Sequence, residues 1–168
     1  MKRRHLLTVG VATGALLAVA GTTIALFKPA RSEARFTPTG RSLFAAVAQS
    51  VLGALLPSNS VERATAIAAH LSRVEATIAG LPPHMQAEVD ELITIIGSAP
   101  GRLALVGLIT DWASAPTVEV SAALVSMQRS NLAVRQQAYH ALRDITNGSY
   151  FADPTTWPSI GYPGARPV

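Results

Sequence analysis

A chain of 168 residues carrying 14 basic and 10 acidic side chains has room for one domain, and this size argues against a multidomain enzyme. Five of the basic residues (Lys2, Arg3, Arg4, Lys28 and Arg31) fall within the first 34 positions against a single acid, Glu33, so the two signs balance over 35–168 and the pI of 10.1 belongs to the leader; no basic patch on the body calls for nucleic acid. A hydrophobic share of 49% excludes intrinsic disorder, and the absence of cysteine excludes disulfides, thiolate catalysis, covalent c-type haem attachment and zinc–thiolate sites.

Residues 1–34 read as an address. Lys2-Arg3-Arg4-His5-Leu6-Leu7 is a basic opening, the 19 residues from Val9 to Phe27 carry no charge, and Lys28-Pro29 closes the stretch. A pair of arginines followed by one variable and two apolar residues resembles the twin-arginine (Tat) export signal, which assigns targeting to Arg3 and Arg4. The apolar stretch is rich in Gly, Ala and Thr, milder than an ordinary Sec signal; the alternative is that the arginines are the positive flank of a Sec signal or of an N-terminal membrane helix. As a helix the stretch would reach roughly 28 Å, enough to anchor the chain in the inner membrane if it is not cut. Ser32-Glu33-Ala34 and Ala30-Arg31-Ser32 are small-x-small triplets at which a peptidase could cut. On every one of these readings the body lies outside the cytoplasm, in the periplasm.

Residues 35–148 read as an all-α domain, a small bundle of about five to six helices. Leu43, Phe44, Val47, Val51 and Leu55 recur at helical spacing and stop at Pro57, which cannot continue the hydrogen-bond ladder. After Ser58-Asn59-Ser60, a second helix places Val61, Ala64, Ala68, Leu71, Glu75 and Ile78 on one face and ends at Gly80. Pro82-Pro83 opens a third, with Met85, Val89, Leu92, Ile93 and Ile96 inward, Glu88, Asp90 and Glu91 toward its dipole-favoured first half, and Gly97 as its stop. Leu103 to Ile109 is apolar nearly all round, which predicts a helix buried at the centre of the bundle. Two more helices follow at about 117–130 and 132–146, the last ending at Asn147-Gly148.

The composition then changes. Residues 149–168 are rich in proline and glycine and hold four of the nine aromatic side chains, which predicts an irregular, extended tail. Tyr150, Phe151, Trp157 and Tyr162 supply amphipathic surfaces of the kind concentrated at interface hot spots; the alternative is that the rings fold back and cap the bundle.

No arrangement of side chains assembles a nucleophile, a base and a stabiliser. His140 and Asp144 stand four apart on one helix, and so do His84 and Glu88, but no Gly-x-Ser-x-Gly elbow or His-Glu-x-x-His pair accompanies them, and both read as solvated helix pairs. Ser149 lies just past the expected helix end, Asp111 reads as a helix-end carboxylate, and Gly161-Tyr162-Pro163-Gly164 neither follows a strand nor opens a helix. These residues predict no catalytic, cofactor or metal site in the chain itself.

Three separated features together resemble one family: the twin-arginine leader, a first helix ending Val51-Leu52-Gly53-Ala54-Leu55-Leu56-Pro57, and Ala141-Leu142-Arg143-Asp144-Ile145-Thr146-Asn147-Gly148-Ser149-Tyr150-Phe151 running into Ile160-Gly161-Tyr162-Pro163-Gly164. The chain resembles the gluconate 2-dehydrogenase subunit 3 family, the small subunits of periplasmic FAD-dependent sugar and alcohol dehydrogenases. The resemblance implies a non-catalytic subunit that pairs with a large flavoprotein of the glucose-methanol-choline type, carries it folded through the Tat translocon, and works beside a c-type cytochrome in many complexes. FAD would belong to the large subunit. Targeting transfers to Arg3 and Arg4, and partner contact to Tyr150, Phe151, Trp157, Tyr162 and Gly164. With no cysteine, this chain can form no intersubunit disulfide. The competing expectation is a membrane-tethered periplasmic binding module that acts without a flavoprotein.

Overall fold

The computed structural model describes residues 27–164, and the described chain is mostly helical, as the spacing predicts. It opens on a two-stranded antiparallel hairpin, β1 (Arg31–Ser32) and β2 (Arg35–Phe36), in which Arg31 pairs with Phe36 and Ser32 with Arg35. Five long helices follow: α1 (Pro38–Leu52), α2 (Ser60–Ala79), α3 (Pro83–Gly97), α4 (Thr117–Gln128) and α5 (Ala133–Phe151). Proline occupies the first turn of α1 and of α3, where its missing N–H costs nothing. Asn59 caps α2, accepting from the N–H groups of Val61 and Glu62 at 2.9 and 3.2 Å. Arg3 and Arg4 lie outside the described residues.

The centre of the bundle is α1, which packs against each of the other four helices and buries Leu43, Phe44, Ala46, Val47, Ala48 and Leu52. One apolar core joins Leu43, Phe44, Ala46 and Val47 to Val74, Ile78, Ile93, Ile96, Val120, Met127 and Leu142. A second, smaller cluster of Ala48, Leu52, Leu56 and Tyr150 closes one end of the α1–α2–α5 packing, with Ile67 and Phe151 at its edge.

Four expectations are corrected. The run 103–109 is not a buried central helix: a helical turn at Ala99–Gly101 leads into a π-helical turn at Arg102–Val106, which ends at Gly107 with φ of 81°. Leu103 and Ile109 stand in solvent. Irregular backbone here needs partners for its carbonyls, and two arginines supply them. The half-buried Arg135 donates to Leu105 and Val106, while the buried Arg102 donates to Leu108, Ile109 and the Asp111 carboxylate.

In α2 the inward row begins only at Ala66 and Ile67, so Val61 and Ala64 are exposed, because the first turns of the helix reach past the core, while Ala68 is exposed because it lies off the face of Ile67, His70 and Leu71. From there the buried residues are His70, Leu71, Val74, Glu75 and Ile78.

The last helix does not stop at Gly148. It continues to Phe151, since burial of Ser149 and Tyr150 outweighs the roughly 1 kcal/mol that a helical glycine costs. Nor is the tail wholly irregular. Asp153 accepts from the N–H of Thr155 at 2.9 Å and caps a 3-10 helix at Pro154–Ile160, which Gly161 ends with φ of 71°.

Residues 30–36, across the expected boundary between leader and bundle, form a hairpin seated on α2 and α3. Its two turn residues, Glu33 and Ala34, have φ of 50° and 63°. A two-residue turn of this hand suits the strand twist, yet it costs a non-glycine residue about 1–2 kcal/mol each. It persists because tertiary contacts hold both arms. Phe36 stacks on Phe44 with ring centroids 4.9 Å apart, and Arg31 grips Asp90 through two contacts of 2.8 and 2.9 Å.

Candidate partner interface

The five tail residues predicted to meet a partner divide into two groups. Tyr150 is buried: its ring lies in the second cluster, 6.1 Å from the His70 ring, and its hydroxyl donates to the Leu55 carbonyl at 3.2 Å. Tyr150 caps the bundle. Phe151 is half-buried beside it, their rings edge to face at 5.2 Å.

Trp157, Tyr162 and Gly164 form a unit of their own on the outside. The Trp157 indole N–H donates to the Phe151 carbonyl at 2.8 Å, Tyr162 meets the indole edge to face at 5.2 Å, and Gly164, at φ of 96°, lies against the same ring. Pro154, Pro158 and Pro163 complete an open notch of about 300 Å³. This unit is fastened to α2 by the Arg73–Asp153 ion pair at 2.9 Å. Hydrogen bonds from the hydroxyl and N–H of Thr155, with Arg73 adding to them, hold the Asp153 carboxyl below its ordinary range, so the pair stays charged. The result is a stiff presentation of Tyr162, 45% exposed, and Ile160, 52% exposed.

A second surface was missed by sequence reasoning. On α4, Val120, Ala123, Leu124 and Met127 point inward, while Val118, Ala122 and Val125 recur on an exposed row. Val118 is 74% exposed, and beside the helix the loop after the π-turn presents Ile109 at 82%. Between them lies an open notch of about 520 Å³ walled by Val106 to Thr110 and by Glu119, Ala122, Ala123 and Ser126, with Thr110 donating to Glu119 at 2.8 Å on its rim. Arg102 and Arg135 hold this loop from behind through its carbonyls, so the apolar side chains stand on fixed backbone. The available signal was that α4 is apolar on more than one face, which a helix needs only if it is buried all round or meets something else.

The groups weighed for chemistry do not converge. Asp144 pairs with Arg143 at 3.2 Å, His140 is exposed against the Tyr139 ring, and Ser149 is buried and donates to Thr77 at 2.9 Å. His84 is exposed at the start of α3, and Asp111 takes the Arg102 guanidinium. Among the described residues no group of three or more His, Asp or Glu is placed to hold a metal. Among the described residues His70 is the one histidine in the core; neither ring nitrogen has a hydrogen-bond partner, and burial, with a smaller contribution from Arg73, lowers its pKa from 6.5 to about 4. It is a neutral packing element between α2 and Tyr150. No family model, curated protein or solved structure matches this chain.

Proposed function

We propose that this chain is a non-catalytic small subunit that escorts a folded FAD-dependent dehydrogenase of the glucose-methanol-choline type through the Tat pathway and stabilises it in the periplasm. The observation that carries the reading is the set of large apolar side chains left in solvent on rigid supports: Ile109 and Val118 on one surface, Ile160 and Tyr162 on the other. Apolar surface held open on fixed backbone favours association, because little ordering entropy opposes docking. The paired arginines at positions 3 and 4 supply the address, and the resemblance to the gluconate 2-dehydrogenase subunit 3 family supplies the kind of cargo. FAD must be bound before export, Tat carries folded cargo, and one leader can then serve two chains. The cofactor and the chemistry belong to the large subunit. A c-type cytochrome is the electron acceptor such a complex would use.

The openness of both notches favours this reading over a tethered small-molecule binding module, since small ligands are held in concave sites that bury most of their surface. The test is to replace Arg3-Arg4 with Lys-Lys in the native host. The expected result is retention of both this chain and a flavoprotein in the cytoplasm; normal export of the flavoprotein would count against the escort role.

A further inference from the structure

The hairpin carries a consequence for how the leader is processed. Ala30 is fully buried, its N–H donates to the Thr94 hydroxyl at 3.2 Å, and its carbonyl accepts from the N–H of Thr37 at 3.0 Å. The body has a seat shaped for it. A Cβ on Gly40 would overlap the Ala30 carbonyl oxygen, and Gly97 faces the Ala30 methyl from α3. The buried Glu75 accepts from the N–H of Phe36 at 2.7 Å and pairs with Arg35, while Asp90 pairs with the buried Arg31. If the chain were cut after Ser32 or Ala34, Gly40 would face an empty seat, and Asp90 and Thr94 would lose the groups they hold.

We infer that residues 29–37 belong to the mature body and that a leader peptidase leaves the Ser32–Glu33 and Ala34–Arg35 bonds intact. A peptidase draws its substrate out as an extended strand, with small side chains in alternate pockets. Glu33 and Ala34 sit in left-handed conformation at a tight turn, and in the upstream triplet Ala30 is buried and Arg31 is gripped by Asp90. Ser32 to Arg35 are exposed, but drawing either bond out into an extended strand pulls on Arg31 and Phe36, which are buried on both sides of the turn, so its cleavage follows the small population of an opened state. Any cut of the leader then falls before Pro29.

The inference rests on the export reading only in supposing that a leader peptidase meets the folded chain. The experiment is to purify the full chain from its native host, fraction by fraction, and determine its N-terminus by intact mass, with amide hydrogen exchange on the same sample. A first residue at or before Pro29 is expected; a species beginning at Glu33 or Arg35 overturns the inference. The amides of Ala30, Phe36 and Thr37 should exchange about a hundredfold or more slower than in a free peptide. Exchange at the free-peptide rate would also overturn it. Recovery only from the cytoplasm would count against export, and the exchange rates alone would then decide the hairpin.

Discussion

Gly40 and Ala30 are packed so closely that a Cβ at residue 40 would overlap the Ala30 carbonyl oxygen. Gly40 lies in the first turns of α1, where alanine is intrinsically the better helix former by about 1 kcal/mol. Gly40→Ala is nevertheless expected to destabilise the protein by about 1–3 kcal/mol, the usual cost of overpacking, read as a lower denaturant midpoint. A raised midpoint would mean that the hairpin is not seated on α1.

His70 predicts how stability depends on pH. Folded, its ring stays neutral down to about 4; unfolded, it titrates near 6.5. Between those values the unfolded chain binds the extra proton, so the contribution of the neutral ring is fully present above about 6.5 and is lost as pH falls toward 4, by about 3 kcal/mol in all. His70→Leu removes this loss. Denaturant titrations of both proteins at pH 8 and pH 4.5 should show a smaller acid destabilisation in the variant, and parallel losses would contradict the assignment.

The division of the tail separates two substitutions. Tyr150→Ala empties a buried site and removes a hydrogen bond to Leu55, and should cost about 3–5 kcal/mol of the body's own stability. Trp157→Ala should leave the bundle's core intact while loosening Tyr162 and Gly164, and weaken association with the partner tenfold or more. Comparing thermal unfolding with partner affinity checks this, and an equal loss of both after Trp157→Ala would make that ring a cap as well.

Ile109→Lys tests the second surface. At 82% exposure the side chain supports little of the fold, so stability should change by less than about 0.5 kcal/mol. Association should drop at least tenfold if the notch beside α4 is covered by the partner. Unchanged affinity would leave the tail as the sole docking surface.

Much of the fold was legible because helices announce themselves by period and punctuation. Pro57, Gly80, Pro83 and Gly97 mark real ends or starts near α1, α2 and α3, and Glu75, placed inward by spacing, is buried. Period cannot tell which apolar faces are buried in the chain itself. Leu103 and Ile109 read as core for that reason, and Val61 reads as core because nothing local reports that α2 outruns its neighbours. The hairpin was invisible for a different reason: Glu33-Ala34 carries none of the Asn-Gly or Asp-Gly chemistry of such turns, and its stability comes from Asp90, Glu75 and Thr94, more than 35 residues away in sequence. At the site, the aromatic tail was visible by composition, while the surface built by Ile109 and α4 depends on two arginines reaching loop carbonyls, which sequence does not show.

The most direct test of the escort account is to purify the full-length chain from its native host in mild detergent and examine what accompanies it. The account predicts a much larger flavoprotein in stoichiometric amount, with the visible absorbance of FAD. A colourless chain purifying alone would contradict it.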